Sequence, residues 1–153
     1  MIGTAWWLLS VGLLCAACNS GVPEPASVEI SSRQIRLTIV RMATDPFLSR
    51  HSLTLSVTGV AGGQGCSASA ELFPDTGYAG RRNVYLTTNG SLYVVGQFDA
   101  RVIDTHSCRI SLSEFRHLQR EVVFVGSFDE DADRRWTYFP SKERPEQPLD
   151  KRT

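Results

Sequence analysis

The sequence predicts an all-β domain, a small antiparallel β-sandwich or barrel of about 7–9 strands with one disulfide. Three observations carry that prediction. Apolar and polar residues alternate in short runs, the period of a strand with one face buried and the other wet. Gly, Pro, Asn and Asp clusters separate these runs, with almost no helical pattern between them. Two cysteines, Cys66 and Cys108, each fall on the apolar side of such a run, where a bridge is useful.

Taken in order, Ile35, Leu37 and Ile39 alternate with Arg36, Thr38 and Val40. Leu53, Leu55 and Val57 then alternate with Thr54, Ser56 and Thr58. Between them, Thr44-Asp45-Pro46 marks a turn, because proline fixes its own φ and pushes Asp45 away from the helical region. After the glycine-rich stretch Ala61–Gly65, residues Cys66, Ala68, Ala70 and Leu72 share one strand face, and Pro74-Asp75-Thr76-Gly77 ends the strand. Asn83–Thr88 leads into Asn89-Gly90, a strong hairpin signal because both residues tolerate positive φ. A two-residue turn there sets Leu86 opposite Tyr93 and Val84 opposite Val95, on a return strand from Ser91 to Phe98. Cys108, Ile110 and Leu112 alternate with Arg109, Ser111 and Ser113, and Ser113–Leu118 suits one capped helical turn. Val122–Phe128 and Arg135–Phe139 form a last pair of strands joined by Asp129–Asp133. No tryptophan lies between Cys66 and Cys108, so an immunoglobulin-type core is not indicated.

The N-terminal segment is of another kind. Met1 to Ala17 holds no charged side chain, and Ala5–Leu14 is an apolar run of about ten residues, too short to span a bilayer. It ends in Leu13-Leu14-Cys15-Ala16-Ala17-Cys18, which resembles the lipobox of bacterial lipoprotein signal peptides. The chain departs from that pattern at Cys15, where Leu is usual, and in lacking Lys or Arg near its start. The resemblance implies cleavage before Cys18, acylation of that cysteine and several acyl chains, which together make a stable anchor. Asn19 is not the Asp that retains such proteins at the inner membrane, so it implies the outer membrane, facing the periplasm. Residues 1–17 are then the signal peptide, 18–27 the lipidated N-terminus and tether, 28–139 the sandwich-like domain and 140–153 a charged, disordered tail. Cys15 is discarded and Cys18 acylated, which leaves Cys66 and Cys108 as a pair in an oxidising compartment.

All sixteen acidic and sixteen basic residues follow the signal segment, so the mature domain is formally neutral. That argues against a nucleic-acid partner, which wants a basic excess.

Candidate chemistry is sparse. Asp129, Asp131 and Asp133 match the opening of a calcium loop, but Arg134 replaces its glycine and Pro140 its final Glu, so no metal is expected. His51, His106 and His117 are scattered over turn regions. One of them beside Asp99 or Asp104, with Ser107 or Ser111, is the only acid–base arrangement in view, and no nucleophile or phosphate-loop motif accompanies it. Trp136, Tyr138 and Phe139, with Phe128 nearby, either seal the core or form a binding face. Asn89–Val94 is similar to the Ser-Gly-x-x-Tyr loop of lipid-anchored c-type lysozyme inhibitors, with Asn89 in place of Ser, over six residues.

The expectation is therefore a non-enzymatic, lipid-anchored envelope lipoprotein. It attaches to the membrane through Cys18, requires no cofactor, and binds or scaffolds an envelope protein. An inhibitor of a wall-degrading enzyme such as lysozyme and an envelope hydrolase are the alternatives.

Overall fold

A computed structural model describes residues 21–45, 47–61, 63–77, 80–114 and 122–147. Cys18, His117 and most of the Ser113–Leu118 turn lie outside these residues. Within them the fold is two antiparallel sheets stacked face to face, ten strands in all. The first sheet holds β1 (Glu24–Ile30), β2 (Ile35–Ala43), β3 (His51–Ala61) and β4 (Gln64–Asp75) in chain order. The second holds β5 (Arg82–Thr87), β6 (Leu92–Val95), β7 (Ala100–Asp104), β8 (Arg109–Ser113), β9 (Val122–Glu130) and β10 (Trp136–Pro140), ordered β10-β9-β5-β6-β7-β8. A 3₁₀ turn at Ser31–Arg33 joins β1 to β2.

The predicted alternation decides the core. Ile35, Leu37 and Ile39 from β2 and Leu53, Leu55 and Val57 from β3 meet Val84, Leu92, Val94, Ile103 and Phe128 from the second sheet, all buried. Fully burying each such side chain contributes about 1.5–3 kcal/mol relative to leaving it in water. The opposite face of the first sheet is mixed, with Glu29, Arg36, Val40 and Glu71 among its side chains. Ser27 pairs with Thr38, Thr38 with Ser56, and Ser56 with Ser69, so a row of hydroxyl residues crosses all four strands.

Cys66 and Cys108 form the expected disulfide, with Cα atoms 5.8 Å apart. It ties β4, the edge of one sheet, to the turn before β8, the edge of the other.

Four expectations are corrected. The β5–β6 loop has three residues, not two: Thr87 N–H donates to the Ser91 carbonyl (3.0 Å), and Gly90, at φ 89°, closes the loop against Thr87. The extra residue slips the register by one, so Leu86 faces Leu92, Tyr85 faces Tyr93 and Val84 faces Val94. The return strand does not run to Phe98. It breaks at Gly96, whose N–H donates to the Asp99 carbonyl, and β7 follows as a separate strand. The supposed tether is already folded from Glu24, where Pro25 is tolerated because β1 is an edge strand. Finally, residues 140–147 are not a loose tail. After β10 they turn back across β9 and β5, where Tyr85 Oη donates to Glu146 (2.7 Å), Asn83 Nδ2 to the Gln147 carbonyl (3.0 Å) and Arg81 to the Pro145 carbonyl (2.7 Å). Charge made this segment look solvated, yet its polar groups have specific partners on the sheet.

Candidate functional site

Strand directions place the start of β1, the β2–β3 loop, the β4–β5 connection, the β6–β7 turn and the β9–β10 turn at one end of the sandwich. The disulfide and the β5–β6 hairpin lie at the other. The first of these, the entry end, concentrates both buried charge and exposed apolar side chains.

Arg82 organises it. It lies on the inner side of β5, one position pair before Val84, and is 1 % exposed. Its guanidinium donates to the carbonyls of Gly80 (3.2 Å), Arg81 (3.0 Å) and Phe73, and lies 3.7 Å from Asp99. Burial pulls its pKa down, while the charges of Asp99 and Asp75 oppose that fall. Gly96 lets the β6–β7 turn approach this group, since a Cβ there would stand 2.7 Å from the guanidinium carbon. Asp99 in turn accepts the Phe73 N–H at 2.9 Å. Phe73 and Phe98 are thereby held ring to ring, centroids 5.0 Å apart, although they are 42 % and 53 % exposed. Asp75 accepts the Gly77 N–H at 2.8 Å, and His51 Nδ1 lies 3.7 Å from its other oxygen.

The β2–β3 loop adds Phe47, 93 % exposed, and Leu48. Both present their side chains outward from a fixed turn, because the Asp45 carboxylate accepts both backbone N–H groups (2.8 and 2.9 Å). Those two bonds hold the Asp45 carboxyl below its usual range. Val22 at the chain entry and Met42 at the end of β2 are also exposed.

On the other flank of the same end, Arg41 is buried over Trp136, with its guanidinium 5.4 Å from the ring centroid. It donates to Glu24 (2.7 Å), Glu130 and the Arg134 carbonyl (2.9 Å). Burial pulls its pKa down, but the hydrogen bonds and charges of Glu24 and Glu130 more than offset this and leave it raised. The two arginines plug the open end between the sheets.

Of the residues singled out from sequence, His51 and Asp99 lie in this end, beside Asp75 and Arg82, and Trp136 lies beneath Arg41. Trp136 is 5 % exposed, donates its indole N–H to the Ile39 carbonyl (3.1 Å) and stacks on Phe128. Tyr138 packs edge-on against Phe128, and burial pushes its pKa up to about 12. Phe139 is covered by Arg144, 3.6 Å from its ring centroid. The β9–β10 register turns Trp136 and Tyr138 inward, while Phe139 lies on the opposite face beneath Arg144, so the three do not share one exposed face. Ser107 donates to Asp104 (2.8 Å), whose other oxygen accepts the His106 N–H (2.9 Å). That is the hydrogen bonding of a turn, and these bonds hold the Asp104 carboxyl low. Asp129 pairs with Arg144 (2.6 Å) and Asp131 accepts the N–H groups of Asp133 and Arg135 (both 2.9 Å), so these carboxylates serve the hairpin. Among the described residues no three His, Cys, Asp or Glu side chains gather as a metal group. Asn89 accepts the Ser91 N–H (3.1 Å), and the Gly90 carbonyl accepts the Thr105 hydroxyl (3.0 Å), which tie the hairpin tip to the body.

The exposed aromatic end was missed in the sequence because Phe47, Phe73 and Phe98 sit in or beside turns, 25 or more positions apart, and follow no period. No protein-family model, curated protein or solved structure matches this chain.

Proposed function

We propose that the protein is a lipoprotein of the bacterial cell envelope, anchored through acylated Cys18 in the outer membrane and facing the periplasm. Its disulfide-stapled sandwich acts without catalysis, as a binding or scaffolding module for an envelope protein. The observation that carries this reading is the join between anchor and fold. β1 begins at Glu24, six positions after Cys18, so acyl chains on that cysteine would hold the sandwich by its entry end. The outer face of the first sheet, with its row of hydroxyls at Ser27, Thr38, Ser56 and Ser69, then stays free to meet a partner.

The test has two parts. Cys18→Ser is expected to move the protein from the membrane fraction to the soluble one; retention in the membrane contradicts the anchor. Crosslinking in intact cells, followed by pull-down, is expected to recover a discrete envelope protein. Recovery of none, together with hydrolytic turnover by the purified protein, overturns the binding role in favour of an envelope hydrolase.

A further inference from the structure

We infer that the entry end of the sandwich, through Phe47, Leu48, Phe73 and Phe98, docks onto the lipid interface of the membrane that holds the anchor. The inference rests on the reading of Cys18 as the acylated residue and adds an orientation to it.

The first argument is reach. Gly21 lies against the end of β2, where a Cβ on it would stand 2.7 Å from Ala43 Cβ. From Cys18 to Gly21 the chain spans at most about 11 Å even when fully extended. Acyl chains on Cys18 must lie in the hydrocarbon, below a headgroup layer of about 5–8 Å. The anchor is therefore too short to lift the domain clear of the surface, and the entry end is the part it holds down.

The second argument is what that end presents. Phe47 is almost wholly exposed, and Leu48, Phe73 and Phe98 are about half so. Large apolar side chains in such a group are costly in water and suited to the boundary between headgroups and acyl chains. They are also fixed in place. A buried arginine and carboxylate, Arg82 and Asp99, hold the Phe73–Phe98 pair, and Asp45 holds the turn that carries Phe47 and Leu48.

The third argument is charge. The charged groups of the β9–β10 turn at this end balance, Asp131 and Asp133 against Arg134 and Arg135, with Arg135 3.2 Å from Asp133. This turn therefore adds no net charge that would oppose a headgroup layer.

The experiment uses the full chain, processed and acylated in its native envelope and checked by intact mass. It is reconstituted into phosphatidylethanolamine–phosphatidylglycerol vesicles whose acyl chains carry bromine near the headgroup. Phe47→Trp reports on the entry end, and Val60→Trp, beside the β3–β4 turn, on the opposite end. Trp136 is buried and common to both variants, so its emission is the shared background. Insertion of the entry end by about 5–10 Å is expected to quench roughly half of the emission that F47W adds and to leave the emission that V60W adds unchanged. An acylated protein with equal quenching in the two variants, or with none in the F47W protein, overturns the docking and leaves the anchor standing; that result points to a protein partner at this end. A mature chain without the acyl mass overturns both.

Discussion

Arg82 shows how much of this protein rests on single polar residues in apolar surroundings. A guanidinium that is 1 % exposed has lost its hydration, and the carbonyls of Phe73, Gly80 and Arg81 and the carboxylate of Asp99 stand in for the lost water. Replacing it removes the donor from every one of them at once. Arg82→Met, which keeps the stem and drops the charge, is expected to cost about 3 kcal/mol, since a buried carboxylate loses its nearest buried cation. Urea denaturation measures the loss; a change below about 0.5 kcal/mol, the size of an ordinary surface substitution, would show that the cluster is not holding the fold. Arg41 plays the corresponding part on the other flank, with Glu24 and Glu130 as its acceptors.

At the scale of elements, the sandwich has two open flanks and closes each differently. Where β1 and β10 meet, Arg41 and Trp136 fill the gap. Where β4 and β8 meet, the Cys66–Cys108 bridge spans it. The bridged residues are 42 apart in sequence, and closing a loop of that length stabilises the fold by up to about 4 kcal/mol on the loop-entropy argument. Cys66→Ser with Cys108→Ser is expected to lose a few kcal/mol by the same argument, read as a lowered denaturant midpoint. Free thiols at both positions in non-reducing mass analysis of the native protein would contradict the bridge. The segment after β10 is a further closing element, since it satisfies Asn83 and Tyr85 on the outer face of β5.

For the whole molecule, the balance of charge makes pH the natural probe. Asp45, Asp104 and Asp131 are each held below their ordinary value of 3.8, chiefly by backbone N–H groups. Their folded pKa values are depressed, so their contribution is complete above the unfolded value and lost as pH falls through the folded one. Stability is therefore expected to decline from about pH 4 downward. Tyrosine acts on the other side. Burial raises Tyr138 from 10.0 to about 12 and raises Tyr85 further still. A raised folded pKa favours the neutral form, so this contribution is present below pH 10 and lost as pH climbs toward 12. Urea midpoints measured across both limbs check the signs; a midpoint that rises on acidification below pH 4 contradicts the first.

Much of the fold was legible in the chain itself. Alternation in Ile35–Ile39 and Leu53–Val57 requires strands with one buried face, and it is local, so it survives without knowledge of partners. The inward placement of Cys66 follows from the same period. The lipobox-like Leu13–Cys18 is a linear signal and offers its reading before any folding. What the tertiary structure alone decided depends on residues far apart. It turned Trp136 and Tyr138 inward, since the β9–β10 register sets which side they face. It moved Glu24 and residues 140–147 into the folded body, because their partners lie on other strands. It also brought Phe47, Phe73 and Phe98 to one end, around an arginine whose burial nothing in its neighbours announces. Period tells a residue which face it takes; only the closed sandwich tells it what it meets there.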